Sequence, residues 1–330
     1  VVVAGLDGSS QGICLVVSNG TNRLLGTITD GDIRRYMLQH SFLDGEALAV
    51  ANKKPISAPL GFTNEHYRQI CTVNSIRHLP ILGSDLSVQG LFLMTGRSEE
   101  ISDCRLVIMA GGKGTRLRPL TEECPKPMLK VGGKPILERI IRKAQQEGLL
   151  KITISVNYLK EKIIDYIGDG TRLGVSVSFL EEDEPLGTAG GLGGLKSSEQ
   201  SIIITNGDVL TDVSYMDICN YHRLNKSTAT MAVKRYEWAS PYGVVETTGT
   251  DMVGFKEKPI YQYYINAGIY VIERAALKSL EKGIHCDMPA LFERLRCDGR
   301  KTIVYPMHEP WIDVGRPAEL EEARKSLKRV

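Results

Sequence analysis

The sequence predicts an α/β protein, a large domain with a mixed, mostly parallel sheet preceded by a small α+β domain. Three observations carry that expectation. From residue 104 onward, apolar runs of strand length alternate with amphipathic helical stretches, the pattern of a sheet covered on both faces. One of those runs leads straight into a glycine-rich, cationic loop, as in nucleotide-binding sheets. The first hundred residues instead hold a short internal repeat of hairpin type. With 330 residues the chain exceeds one ordinary domain. It divides into residues 1–97, a polar linker at 98–103 within TGRSEEISD, and residues 104–330.

Composition narrows the class. Hydrophobic residues make up 42% and charged residues 24%, enough to bury a full core and stay soluble. A formal charge of +2 gives no sign of a nucleic-acid partner. The seven cysteines (14, 71, 104, 124, 219, 286 and 297) are scattered, odd in number and without C-x-x-C spacing, which argues against a disulfide framework or zinc site and for reduced thiols in a cytoplasm. No apolar run is long enough to span a bilayer and no leader opens the chain, so a membrane or secreted location is not expected.

In the amino-terminal part, LVVSNGTNRLLG at 15–26 overlays LPILGSDLSVQG at 79–90, each an apolar strand, a polar turn and a second apolar strand. DIRRYMLQH then places Ile33, Tyr36 and Met37 on one helical face. The two copies resemble a tandem pair of CBS motifs, a regulatory module that often binds adenine nucleotides. By that resemblance Thr29 would contact phosphate and Asp32 the ribose hydroxyls of a nucleotide. The second copy has Leu93 and Gly96 at those places, so at most one pocket is equipped. Pro55 to Ser57 would supply the second unit's opening strand. The first unit lacks its counterpart and the chain begins at Val1, so a start upstream is expected. A module that only docks or dimerises is the alternative.

Residues 106–130, LVIMAGGKGTRLRPLTEECPKPMLK, carry most of the functional information. Gly111, Gly112 and Gly114 lack a Cβ, so backbone N–H groups can meet phosphate oxygens closely, while Lys113, Arg116, Arg118 and Lys126 add positive charge. Neither a Walker A ending nor a G-x-G-x-x-G fingerprint is present. The G-G-x-G-T-R-L-x-P-L-T run followed by P-K-P resembles the signature of the sugar-1-phosphate nucleotidyltransferases, which make NDP-sugars from an NTP and a sugar 1-phosphate. The likeness covers residues 104–330.

Further along, KPILERIIRKAQQEG predicts a helix opened near Pro135 and stopped at Gly148, with Ile136, Leu137, Ile140, Ile141 and Ala144 on one face. KITISV, VSVSFLEE and SIIIT predict strands, and YLKEKIIDYI a helix, an order compatible with a Rossmann-like sheet. The acidic run Glu181 to Glu184 reads as a solvated turn. TNGDVL leaves Asp208 past the carboxyl end of a buried strand, where open α/β sheets bind ligands, and WIDVGRP presents Asp313 on a short loop. Alone, either carboxylate would pass for a turn residue. Magnesium, however, is typically held by one or two carboxylates together with phosphate oxygens and water.

The resemblance then implies roles. Ala110, Gly111, Gly112, Lys113, Gly114 and Thr115 would hold the NTP, and Leu186, Gly187 and Thr188 of PLGTAGGLGGL the base. Asp208 and Asp313 would hold Mg²⁺. The Gly243 backbone, Glu257 and Asn266 would hold sugar hydroxyls, with Lys258 near the sugar phosphate. Arg116 would neutralise the triphosphate and Lys126 bind the attacking phosphate, so that transfer rests on positioning and electrostatics and needs no general base. The LGTAGGL segment resembles the guanylyltransferase branch. Its fusion to a CBS pair looks like the guanylyltransferases of bacterial nine-carbon sugar pathways, which favours GTP and glucosamine 1-phosphate. A UTP enzyme, another sugar phosphate and a catalytically silent nucleotide-sensing subunit stay open. Self-association is expected, since both kinds of domain commonly self-associate. The terminal ELEEARKSLKRV reads as a charged amphipathic helix.

Overall fold

The computed structural model describes residues 12–40, 46–74, 76–94 and 104–326, so the 95–103 linker and the last four residues lie outside the described residues. The chain forms two compact units, Val1–Ser98 and Glu99–Val330. Among the described residues, no helix is long and apolar enough to cross a membrane.

The first unit carries both hairpins of the repeat. Strands β1 (Ile13–Val17) and β2 (Leu24–Thr29) pair antiparallel, helix α1 (Asp30–Gln39) follows, and α2 (Ala47–Val50) is a single turn. The second half holds β3 (Ala58–Pro59), α3 (Asn64–Asn74), β4 (His78–Leu82) and β5 (Val88–Leu93), with β4 and β5 antiparallel. Each half has its own small core, Ile28, Ile33 and Met37 in one, Ala58, Tyr67, Cys71 and Leu79 in the other. The hairpins meet where Leu24 N–H donates to the Leu86 carbonyl at 3.1 Å and Val88 N–H to the Asn22 carbonyl at 3.0 Å. One detail departs from expectation. Pro55 to Ser57 form no strand, because Pro55 has no N–H to donate, and the pairing with β4 begins only at Ala58.

In the second unit the chain runs through β6 (Cys104–Met109), the small hairpin β7 (Lys130–Val131) and β8 (Lys134–Pro135), α4 (Ile136–Gln146), β9 (Lys151–Val156), α5 (Lys160–Ile167) and β10 (Ser176–Glu181). The short α6 (Gly187–Gly190) precedes β11 (Ser201–Asn206), β12 (Val209–Thr211) and α7 (Tyr215–Leu224). Then come β13 (Ala229–Ala239), β14 (Val244–Thr248), β15 (Asp251–Lys256), β16 (Ile260–Glu273), α8 (Met288–Cys297), β17 (Thr302–Met307), β18 (Trp311–Asp313) and α9 (Pro317–Ser326).

Seven strands form the central sheet in the order β10-β9-β6-β11-β16-β13-β17. All neighbours are parallel except β16, which runs against both β11 and β13, so the sheet is mixed and mostly parallel. Alternation along β6 and β11 fills both faces. Leu106, Ile108 and Ile203 join one core, Val107, Ile202 and Ile204 the other. Helix α4 buries the five apolar residues its 3.6-residue spacing predicts.

The end of the sheet opposite the β6 loop is braced by charge. Glu199, 2% exposed, accepts from Arg105 Nε at 3.1 Å, Lys151 Nζ at 2.9 Å and Ser197 Oγ at 2.8 Å. Two cysteines that look scattered in sequence are neighbours here, with the Cys104 and Cys219 sulfurs 3.2 Å apart.

Candidate active site

Parallel strands β6 and β11 end side by side, with Asn206 in register with Met109. Each therefore delivers its following loop to the same edge. After β6, the N–H groups of Gly111, Gly112 and Lys113 have no acceptor among the described residues, which is what an anion-binding turn requires. Ala110 differs, since its N–H is given to the Ser155 carbonyl at 2.8 Å. Gly114 has φ +60°, and a Cβ there would stand 3.1 Å from Lys126 Cβ and from Thr121 Cγ2. Glycine is thus needed at 114 for conformation and for the close approach of Lys126, whereas Gly112 faces open space.

The loop after β11 places Asp208, and β18 brings Asp313 beside it. Val209 is in register with Asp313 and Val314 N–H donates to the Asp208 carbonyl at 3.1 Å. Asp313 therefore closes a short strand, where the sequence suggested a loop, because residues 311–313 find a partner in β12. Lys126 Nζ donates to Asp208 Oδ2 and lies 3.9 Å from Asp313 Oδ1. Burial, and then the neighbouring Asp208 charge, push the Asp313 carboxyl up from its ordinary value, with Lys126 and Arg116 pulling the other way.

A pocket of about 240 Å³ opens at this edge, lined by Ala110, Gly111, Gly112, Lys126, Leu186, Gly187, Thr188, Asn206 and Asp208 among others. A second hollow adjoins it, lined by Gly112, Gly114, Thr115, Arg116, Lys126, Asp208 and Gly315. Gly112, Lys126 and Asp208 belong to both. The residues expected around the nucleotide thus converge on one cleft, with Lys113 exposed beside it and absent from either lining.

Glycines 187, 190 and 191 have a packing role that sequence does not show. A Cβ at Gly190 would meet the Ile284 carbonyl at 2.5 Å, and one at Gly191 the Glu182 carboxylate at 2.4 Å. Leu186 gives its N–H to Glu182 at 3.1 Å and accepts from Cys286 N–H at 2.9 Å, while Thr188 N–H goes to Asp287 Oδ1 at 3.1 Å. Of the three expected base contacts, the Gly187 N–H is the one left without an acceptor among the described residues. Within the 181–184 run Glu181, Asp183 and Glu184 are exposed, as a solvated turn requires, but Glu182 departs from that expectation. It is 7% exposed, lines the pocket and accepts from Ser155 Oγ. Its neighbours in sequence give no hint of this, because Ser155 and Gly191 reach it from other parts of the fold.

The expected acceptor residues lie further along β13 to β16. A Cβ at Gly243 would fall 2.4 Å from the Phe255 ring and 3.0 Å from Glu257 Oε2, so Gly243 and Glu257 are together. Lys258 is exposed and has φ +43°, a left-handed backbone uncommon for lysine. Asn266 Nδ2 donates to Tyr270 Oη at 2.8 Å and its Oδ1 accepts from Gly268 N–H at 3.0 Å. Burial raises the Tyr270 hydroxyl to about 12, keeping it protonated while its oxygen accepts from Asn266. Gly243, Glu257, Lys258 and Asn266 do not line the cleft between the glycine loop and the aspartates.

The donor set fits a hard divalent cation. Asp208 Oδ1, Asp313 Oδ1 and Asn206 Oδ1 are buried acceptor oxygens with no hydrogen-bond partner among the described residues, and oxygen donors of this kind suit Mg²⁺. Asn206 is a site residue that sequence reasoning missed, although it stands in the same TNGD run as Asp208.

Fold and cleft together define an α/β domain that presents a phosphate-type loop, a lysine and two carboxylates at the carboxyl ends of parallel strands. Residues 105–329 match the Nucleotidyl transferase family model, and the chain belongs to that family. It is 33% identical over 232 residues to a mannose-1-phosphate guanylyltransferase of Mycobacterium tuberculosis, covering 68% of this chain and 64% of the relative. It is 31% identical over 244 residues to a UTP–glucose-1-phosphate uridylyltransferase of Synechocystis sp., covering 68% and 63%. The chain thus spans just under two thirds of those relatives' lengths. Among solved structures, HddC from Yersinia pseudotuberculosis complexed with GMP-PN superposes with a TM-score of 0.54 at 23% identity, over 68% of this chain and 99% of that one, a likeness of fold.

Proposed function

We propose that the protein transfers a nucleotidyl group from an NTP to a sugar 1-phosphate, releasing pyrophosphate, with GTP as the nucleotide. The observation that carries this is the convergence of Gly111, Gly112, Lys126 and Asp208 on one cleft, with Asp313 beside Lys126. Both reactants are anions, so the task is to suppress repulsion and hold them in line. The Gly111 to Lys113 amides cradle phosphate oxygens, Arg116 offsets charge on the triphosphate, and Lys126 receives the acceptor phosphate. Asp208, Asp313 and Asn206 would hold Mg²⁺, which when bound adds positive charge against the phosphate oxygens. The attacking phosphate oxygen is already ionised at neutral pH, so no side chain has to remove a proton.

GTP is supported by the guanylyltransferase relative and by the LGTAGGL segment. For the acceptor, the sequence favours glucosamine 1-phosphate and the relatives' names bring in mannose and glucose 1-phosphates. We read the first unit as a CBS-type sensor, supported by its two similar halves. Thr29 N–H and Oγ–H both donate to Asp32 Oδ2, at 2.8 and 2.7 Å, so an adenine nucleotide there has to exchange those bonds for its own.

Pyrophosphate release for each NTP against a panel of these sugar 1-phosphates tests the proposal, with release expected in the GTP row. Asp208→Ala should lower turnover at least about a hundredfold, as loss of one electrostatic group does elsewhere. Near-normal turnover of that variant sinks the metal assignment, and release in no row sinks the activity.

A further inference from the structure

We propose that Lys126 is a built-in stand-in cation for the Asp208–Asp313 pair, so that a divalent metal and the Lys126 ammonium compete for Asp208, and a phosphate that draws Lys126 away tightens metal binding. The inference rests on the reading of Asp208 and Asp313 as metal ligands.

Two carboxylates this close need a counter-charge. Lys126 supplies it, with its ammonium bound to Asp208 Oδ2 and 3.9 Å from Asp313 Oδ1, and with only 12% of its side chain exposed. The lysine is fixed at its base, and its tip is held by the carboxylates alone. It opens a short turn after Pro125, and its Cβ packs against Gly114, so the backbone cannot shift far. The four-carbon stem can swing, and Lys126 lines both hollows of the cleft. One ammonium cannot hold Asp208 and a phosphate dianion at full strength together.

The orphaned oxygens agree with this. Asp208 Oδ2 is taken by the lysine, while Asp208 Oδ1, Asp313 Oδ1 and Asn206 Oδ1 are buried without a hydrogen-bond partner among the described residues. A lysine serves the pair in charge but leaves three acceptors unserved, which a divalent ion would satisfy better. Because each ligand relieves the other's competitor, phosphate and metal reinforce one another, and the coupling factor is the same in either direction.

The test is Mn²⁺ affinity of the full chain without substrates, read from the spin-resonance signal of unbound Mn²⁺. Lys126→Met should bind Mn²⁺ at least roughly tenfold tighter than the wild type, since a positive charge within ~4 Å of the ligands is gone. Inorganic phosphate should tighten Mn²⁺ binding to the wild type and not to the variant. Unchanged or weaker binding by Lys126→Met, or an equal phosphate effect in both, overturns the proposal. Should the variant fold poorly, Mg²⁺ should raise its unfolding midpoint more than that of the wild type, and an equal rise overturns it as well. Asp208→Asn separates the two readings. If it binds Mn²⁺ as tightly as the wild type, the metal assignment itself is wrong. If its binding is lost while Lys126→Met matches the wild type, only the competition is wrong.

Discussion

Lys258 holds a left-handed backbone without being glycine, a conformation that costs about 1–2 kcal/mol for an L-residue. Such strain tends to persist where the side chain serves a ligand. Lys258→Gly is therefore predicted to gain roughly 1 kcal/mol of stability in a denaturant titration and to raise the KM for sugar phosphate. A gain in stability with an unchanged KM would detach Lys258 from the acceptor site. At this scale legibility followed sequence distance. Arg116, Lys126 and the loop glycines stand within one short run, so their spacing alone placed them together. Asp208 and Asp313 needed a family pattern, because only the β12–β18 register brings them side by side. Glu182 reads as solvated because its burial depends on Ser155 and Gly191, and Asn206 carries no signal of its own beside Asp208.

Glu199 ties β6, β9 and the segment before β11 into one braced end. Burial alone would raise its carboxyl, but hydrogen bonds from Arg105, Lys151 and Ser197 hold it well below the ordinary glutamate value of 4.5. Because the folded value is depressed, this contribution to stability is fully present above about pH 4.5 and is lost as pH falls below it. Glu199→Ala leaves Arg105 without its carboxylate partner, with only the Thr153 hydroxyl still accepting from it, and should cost on the order of 3 kcal/mol near neutral pH. The difference from wild type should shrink in acid, and a constant difference from pH 7 to pH 3 would remove the charge from the account. Elements themselves were legible from periodicity, as α4 shows with all five predicted apolar residues buried. Pro55 to Ser57 were not, since a short segment becomes a strand only if its N–H groups find partners, and Pro55 has no N–H to offer.

At the scale of the molecule, a ligand that binds only the folded state adds stability by mass action. GTP with Mg²⁺ at a hundredfold excess over its Kd should stabilise the 99–330 unit by about 2.7 kcal/mol, seen as a rise in its calorimetric transition, while CTP at equal concentration gives little. An equal rise with both would reject base selection. The alternation of elements made the sheet legible, and the small repeat made the first unit's two halves legible. Strand order and the reversed β16 were not, because direction within a sheet is set by long-range pairing. That strand has a consequence for divergence. Of its fourteen residues, 270–272 pair with both β11 and β13, whereas 260–266 pair with β13 alone, on the side where the β14–β15 hairpin joins the two strands. The inner half is locked by two neighbours and the outer half by one. Residues 240–259 can then be lengthened, shortened or grafted from a relative while the glycine loop and the carboxylates keep their places, so that, under the proposed function, a change of acceptor need not disturb the nucleotide cleft.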